Sequence, residues 1–340
     1  MRNDKSTIKI ILIAIIIMIL VLAAIFGIKW IKNTFFAPEP EPIELPEEEV
    51  VYGDEYLGID PDVDKQLEGY RNVLIMGIDT ETREYSSGNR SDAIVIVSID
   101  EENKDVKMFS VYRDTYLKIN DEYGLDKVNH AYAFGGFNLS TYAINTNLDL
   151  NIRESIALTW DVVRTMVDEL DGITINIQSS EIATLNGMLP DEYHITAPGE
   201  QTINGEQAVQ YCRMRYDSSD FRRNERFKVV LAQAFTEAKA LDHNDRVQLA
   251  DKMMDMIVTN TSNMNAIETM LDLTDYEIKN STEWPYYKRG AMIDSIYYAV
   301  PIDLQKNVSE LHYNLFGQEE YIPTNKVIDI SNAIRERTGI

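Results

Sequence analysis

Two aspartates and a run of arginines are the residues of this 340-residue chain whose types and spacing could do chemistry. Asp79 ends one apolar stretch and Asp92 begins the next. Two carboxylates about 4 Å apart repel by about 4 kcal/mol at an effective dielectric near 20, so placing them together calls for a proton or a cation between them. A hard divalent ion with oxygen ligands, Mg2+ or Mn2+, suits such a pair better than zinc, for which the chain has no His/Cys cluster. The alternative is a pair of surface aspartates flanking strands. Arg213, Arg215, Arg222, Arg223 and Arg226 put five arginines into fourteen residues. Guanidinium groups bind phosphate oxygens bidentately, so such a cluster beside a metal describes a clamp on a diphosphate. Taken singly, each arginine could equally serve a surface ion pair in so acidic a chain.

The elements that must position these residues are legible in the apolar pattern. Residues 73–78 (VLIMGI) form a nearly continuous apolar run, as expected of a strand covered on both faces, and end at Asp79. A polar loop over 80–89 leads to Arg90-Ser91-Asp92, and residues 93–99 (AIVIVSI) read as a second strand. Turn formers at 100–105 separate it from a third strand at 106–111, and the two should form a hairpin. In a hairpin the start of one strand lies beside the end of the next, which puts Asp92 near Arg113 and Asp114. Asp79 can reach the same edge through its loop. Asp79, Arg90, Asp92, Arg113 and Asp114 are therefore expected at one rim of a sheet, where ligands bind in open α/β folds.

Further along, helices are expected at 139–147 and 156–170, and a strand at 173–178. Asn204-Gly205-Glu206-Gln207 has the form of a capping box and opens a short helix to about Tyr211. Arg213 and Arg215 then leave in an extended segment, two apart and facing the same way. Helices follow at 224–240, 245–257 and 265–273, a strand at 292–299, and helices at 302–315 and 325–337.

Residues 10–28 carry no charge and, as a helix, span about 28 Å against the roughly 30 Å of a bilayer core. They read as a transmembrane anchor; a cleaved signal peptide usually has an apolar region of about 7 to 15 residues and a small-x-small site, which is not seen here. Arg2, Lys5 and Lys9 precede the span and Lys29 and Lys32 follow it, an excess that places the N-terminus inside. The tract PEPEPIELPEEE at 38–49 is too poor in apolar surface to fold and reads as a spacer. The expected layout is a cytoplasmic tail (1–9), an anchor (10–28), a spacer (29–67) and one extracytoplasmic domain (68–340). Its class is α/β, a mixed α/β/α sandwich with a central mixed sheet, preceded by one transmembrane helix.

A net charge of −24 argues against nucleic acid, whose binding rests on cationic neutralisation of phosphates. The lone Cys212 excludes an intramolecular disulfide and reads as a small core residue rather than a nucleophile. His194, His243 and His312 fall in polar stretches, and His130 reads as structural.

The ordered set Asn72 to Asp79 (NVLIMGID), Arg90-Ser91-Asp92, Tyr112-Arg113-Asp114-Thr115, Lys127-Val128-Asn129, Ala131-Tyr132-Ala133-Phe134-Gly135-Gly136, Leu170-Asp171-Gly172 and Asn204 to Ala208 running into Arg213-Met214-Arg215 resembles the LytR-CpsA-Psr family. So does Asp220-Phe221 with Arg223 and Arg226, and the resemblance spans about residues 70 to 240. It implies a bacterial envelope phosphotransferase that takes an anionic glycopolymer, such as teichoic acid or capsular polysaccharide, from a polyprenyl-pyrophosphate carrier and attaches it to peptidoglycan, with pyrophosphatase activity as a possible accompaniment. By the family pattern Asp79 and Asp92 would hold Mg2+. Arg90, Arg113, Arg213, Arg215, Arg223 and Arg226 would form the substrate clamp. Asp114 or Asp220 could act as the general base, or could orient an arginine.

Three positions depart from the pattern. Tyr112 stands where the family has proline, Arg222 where it has glycine, and Phe227 where it has glutamine, so a hydrogen-bonding group expected near the phosphates is missing. Two other readings stay open: an envelope protein that binds a lipid-linked polymer without chemistry, and a membrane-bound transcriptional regulator, a label the family has carried. Against the latter stand the acidic balance and the lack of a DNA-reading helix with basic flanks.

Overall fold

Residues 53–80, 89–214, 221–260 and 276–340 are described in the computed structural model of the chain. The tail, the anchor, the Pro/Glu tract and the helix expected at 265–273 lie outside the described residues. Among those described, no helix is long and apolar enough to cross a membrane.

The folded unit begins ahead of the expected boundary at residue 68. A short helix, α1 (Pro61–Gln66), is started by Asp60, whose carboxylate accepts from the backbone N–H groups of Asp62 and Val63, and by proline at its first position. Leu57, Ile59, Val63 and Leu67 are all buried. Each contributes on the order of 2 kcal/mol by leaving water, which ties this segment to the core rather than to the spacer.

The chain then runs β1 (Tyr70–Ile78), β2 (Ser91–Asp100), β3 (Asp105–Val111), β4 (Tyr116–Asn120), β5 (Gly124–Lys127), α2 (His130–Leu148), β6 (Glu154–Leu158), α3 (Trp160–Glu169), β7 (Ile173–Ile177), α4 (Ser179–Asn186), β8 (Gly199–Ile203), α5 (Gly205–Arg213), α6 (Phe221–Ala240) and α7 (His243–Met254). It ends with β9 (Val258–Thr259), β10 (Glu277–Trp284), β11 (Lys288–Ile293), β12 (Ile296–Pro301), α8 (Leu304–Phe316) and α9 (Asn325–Thr338). Among the described residues the central sheet has six strands in the order β10-β3-β2-β1-β6-β9. It is mixed: β1 runs antiparallel to β2 and parallel to β6, and β3 runs antiparallel to β2 and parallel to β10.

Alternation along the strands builds a core on each face, as the period of two requires. Val73, Val95, Val97, Val106 and Met108 pack with Val163 and Val167 of α3, Val209 and Cys212 of α5, and Val230 and Ala234 of α6. Leu74, Met76, Ile94, Ile96 and Phe109 pack on the other side with Ile144 and Leu148 of α2, Val308 and Leu311 of α8, and Val327 and Ile330 of α9. The mixed α/β/α architecture agrees with the class expected from the sequence.

Two local expectations are corrected. Residues 156–170 are not one helix, because 154–158 form β6, paired parallel with β1 from Val73↔Glu154 to Gly77↔Leu158. The helix starts only at Trp160, after Thr159, whose hydroxyl accepts from the N–H of Val162 at 3.4 Å. Arg213 does not begin an extended segment either; it is the last residue of α5, and the backbone turns extended at Met214.

Candidate functional site

The rim is built by a defect in the β1–β2 ladder. Gly77 pairs with Ala93 but Ile78 pairs with Ser91, so Asp92 is an extra residue, a β-bulge at the end of the strand pair. Bulges re-aim a side chain and end regular pairing. Beyond the bulge the N–H of Asp79 still donates to the carbonyl of Arg90 at 3.3 Å, which holds Asp79 and Arg90 on the same edge. Arg90 is exposed there and Asp92 is 4% exposed.

Across the predicted hairpin, Arg113 and Asp114 leave β3 in a tight turn. Thr115 donates to the carbonyl of Tyr112 through both its N–H, at 2.9 Å, and its hydroxyl, at 2.6 Å. The turn is pinned from outside: Asn129 N–H donates to Arg113 O at 3.2 Å, Val128 N–H to Thr115 O at 2.9 Å, and Ala299 N–H to Asp114 O at 2.9 Å. The Lys127-Val128-Asn129 segment thus frames the Arg-Asp pair through its backbone.

A row of alternating charge results. Arg113 Nη1 donates to Asp92 Oδ1 at 2.6 Å, with the two side chains 17% and 5% exposed. Arg113 Nε lies 3.6 Å from Asp114 Oδ2, and Lys127 Nζ lies 2.7 Å from Asp114 Oδ1. With both oxygens of Asp114 facing cations, its geometry suits orienting Arg113 and Lys127 better than accepting a proton. Lys127 was missed as a charged member of the site, although it stood inside the sequence pattern.

On the β1 side a second set converges. Trp160 donates its indole N–H to Asp79 Oδ1 at 3.1 Å, and its backbone N–H to Thr80 O at 3.2 Å. The guanidinium carbon of Arg213 lies 5.9 Å from the centre of the Trp160 ring, within cation–π range. This approach of α5 to α3 depends on Gly205, since a Cβ there would meet the Arg164 carbonyl oxygen at 2.2 Å. Gly205 N–H donates instead to Asp168 Oδ1 at 2.7 Å, Arg164 Nε donates to Glu206 Oε2 at 2.9 Å, and the capping box of Asn204 and Gln207 forms as expected.

The structure thus brings Asp79, Arg90, Asp92, Arg113 and Asp114 to one edge, with Trp160, Arg213 and Lys127 beside them. Arg215 and Asp220 lie outside the described residues, and of Arg223 only the backbone, in the first turn of α6, is described. Arg226 requires a correction, because it faces the interior. It is 3% exposed, its Nε and Nη2 donate to Glu181 Oε1 at 3.2 and 3.1 Å, and its Nη1 donates to the carbonyl of Met214 at 2.8 Å. Three of its N–H groups go to α4 and to the segment just after Arg213 and the side chain is closed off from solvent, so it is not placed to meet a ligand at the rim. Breaking a buried pair strands a charge, at a cost of about 3–5 kcal/mol. Glu181→Ala and Arg226→Met should each show that loss in urea unfolding, and retention of full stability would contradict the buried pairing.

The two departures that are described are also resolved. Tyr112 is 4% exposed, its N–H donates to Trp284 O at 3.1 Å, and its hydroxyl accepts from Lys288 Nζ at 3.0 Å and donates to Glu283 Oε2. Burial and the Glu283 carboxylate push the phenol well above its ordinary range, so it stays protonated. A proline at 112 has no N–H for the bond to β10. Phe227 is 1% exposed and lies beneath the rim, where a Cβ on Gly77 would come within 3.3 Å of its ring. Cys212 is fully buried, and burial raises its thiol, consistent with a core role. His130 bonds Asp126 at 2.8 Å, and His312 stacks on Tyr321 with ring centres 3.6 Å apart.

Compared with known proteins, the chain matches the LytR_cpsA_psr family over residues 53–315. It is 32% identical over 182 residues to biofilm regulatory protein A of Streptococcus mutans, a match covering 50% of this chain and 45% of that one, so the chain spans less than half of that relative's length. It is 28% identical over 265 residues to the polyisoprenyl-teichoic acid–peptidoglycan teichoic acid transferase TagU of Oceanobacillus iheyensis, covering 73% of this chain and 78% of that one. Among solved structures, the LytR-CPS2A-psr family protein YwtF (TagT) with bound octaprenyl pyrophosphate lipid overlays with a TM-score of 0.53 at 21% identity, covering 80% of this chain and 92% of that one. At that identity the overlay speaks for the fold.

Proposed function

Because the chain belongs to the LytR-CpsA-Psr family, we propose that it is a membrane-anchored phosphotransferase moving an anionic glycopolymer from a polyprenyl-pyrophosphate carrier to peptidoglycan. The polymer would be of the teichoic acid or capsular polysaccharide class. The observation that carries the reading is the run Asp92–Arg113–Asp114–Lys127 on the bulged rim, where Arg113 is fixed by a 2.6 Å ion pair to Asp92. Relatives named as teichoic acid transferases support the substrate class, and a neighbour in fold was solved with octaprenyl pyrophosphate bound.

The reaction forms a bond from an acceptor hydroxyl oxygen to the polymer-side phosphorus of the diphosphate. The bond from that phosphorus to the bridging oxygen breaks, polyprenyl monophosphate leaves, and the hydroxyl proton passes to a base. Such transfer asks for position and charge neutralisation more than for covalent chemistry. Arg113, Arg90 and Arg213, with Arg215 and Arg223, would grip the phosphate oxygens, Arg113 held still by Asp92 and Asp114.

Two carboxylates are donors of the kind a hard cation takes. Among the described residues no group of three or more His, Cys, Asp or Glu side chains is arranged for a metal; a cation held by Asp79 and Asp92 would draw its remaining ligands from water and phosphate, as Mg2+ prefers. Bound there, Mg2+ would neutralise diphosphate charge. One oxygen of each carboxylate is already oriented, by Trp160 at 3.1 Å and by Arg113 at 2.6 Å.

Residues 10–28 would anchor the chain with its N-terminus inside, and the Pro/Glu tract would set the distance between the rim and the membrane surface where the carrier diphosphate lies. The full chain in nanodiscs, given a lipid-linked polymer, should release polyprenyl monophosphate with Mg2+ present. Chelation with EDTA should reduce the rate at least about 100-fold, by the scale of lost charge stabilisation. Undiminished turnover after chelation would contradict the metal role.

A further inference from the structure

The indole of Trp160 contacts Asp79 and lies within cation–π range of Arg213. It is 2% exposed and sits at the first position of α3. Its N–H donates to Asp79 Oδ1 at 3.1 Å, its ring centre lies 5.9 Å from the Arg213 guanidinium carbon, and it makes a T-shaped contact with the Phe227 ring, centres 6.4 Å apart at 84°. Phe227 packs closely over Gly77, where an added Cβ would come within 3.3 Å of the Phe227 ring and 3.1 Å of the Ala93 Cβ. A buried indole N–H is ordinarily satisfied by whatever acceptor is near. Here the acceptor is a carboxylate at the end of the strand that forms the rim, which makes the bond charge-assisted and so stronger and more directional than a neutral one.

We propose that Trp160 is a positioning residue of the diphosphate site. Its N–H fixes which oxygen of Asp79 is turned to the protein and which to the ligand, and its face sets where Arg213 rests. Phe227 acts through it, bracing the indole so that the ring cannot swing away from Asp79. A carboxylate from β1 and a cation from α5 are thereby held in one relation by a single group on α3. This inference rests on the diphosphate-transfer reading.

The test separates the N–H from the ring. The five-membered rings of indole and imidazole overlay, so in Trp160→His the Nε2–H falls where the indole Nε1–H was, whereas Trp160→Phe keeps an apolar ring and loses the donor. Assayed as full chains with a polyprenyl-diphosphate donor, Trp160→Phe should lower kcat about 10- to 100-fold, the scale of a lost hydrogen bond to a charged group, with KM changed less than about threefold. Trp160→His should retain more kcat than Trp160→Phe. A purely structural role for the ring predicts the opposite order, since phenylalanine is the better filler of a buried apolar site, and that order would overturn the proposal. So would a kcat for Trp160→Phe within twofold of wild type. Thermal unfolding of both variants controls for folding. Absence of turnover in the wild type would instead be a failure of the transfer reading, and the same ranking would then be read in the Mg2+-supported affinity for polyprenyl diphosphate, where equal affinities would likewise overturn the role of Trp160.

Discussion

Arg113→Ala is expected to reduce transfer by about 10^3-fold or more, the scale seen when a cation stabilising a transferring phosphoryl group is removed. The side chain is 17% exposed, so it is largely withdrawn from water while its guanidinium still borders the rim. It meets Asp92 at 2.6 Å and Asp114 at 3.6 Å, contacts that hold it in one orientation. Lysine at this position would keep the charge but lose the planar fork, and should recover only a minor part of the rate. Rates for both variants, measured with the lipid-linked donor, check this; near-normal turnover in Arg113→Ala would remove Arg113 from the site.

Asp92→Ala should be as damaging, for two reasons that act together. Asp92 is the inserted residue of the bulge and the anchor of Arg113, and in the proposed reading it would be one of the two carboxylates holding Mg2+. In that reading its loss disturbs the metal and the arginine at once. Raising Mg2+ should not restore the rate, and the double variant Asp92→Ala/Arg113→Ala should be little worse than either single one, since residues working as a unit are not additive. Additive losses would show that the two act independently.

Much of this rim was legible because it depends on local order. Apolar runs at 73–78, 93–99 and 106–111 with a turn between the last two dictate a hairpin, and a hairpin dictates that Asp92 meets Arg113. What local order could not convey was the bulge, because a run such as Ser91-Asp92-Ala93-Ile94 reads the same with or without an extra residue. The misread helix at 156–170 has a physical cause. Ile156, Trp160 and Val163 stand at helical spacing, yet Ile156 belongs to β6 and is paired with Ile75. Thr159, a good N-cap, was the available sign of the break. In a helix over 156–170 Trp160 would be one more apolar position on its face, which gives no sign of its contact with Asp79. Arg226 was misassigned because its neighbours in sequence are arginines, while its partner, Glu181, arrives from 45 residues away on α4. Charge clustering counts cations; it does not reveal which of them the fold consumes. Phe227 illustrates the converse, since a missing polar group at 227 matters less where the side chain is buried against Gly77 and Trp160.

The central claim is that this rim transfers a polymer-bearing phosphate from a lipid diphosphate to a hydroxyl. It is tested most directly by incubating the full chain, in nanodiscs with Mg2+, with a donor labelled in both its prenyl and polymer parts and with peptidoglycan. The account predicts equimolar appearance of polyprenyl monophosphate and of polymer bound to peptidoglycan, with both products lost together in Arg113→Ala. Tight binding of the donor with neither product formed would contradict it and leave a carrier in place of an enzyme.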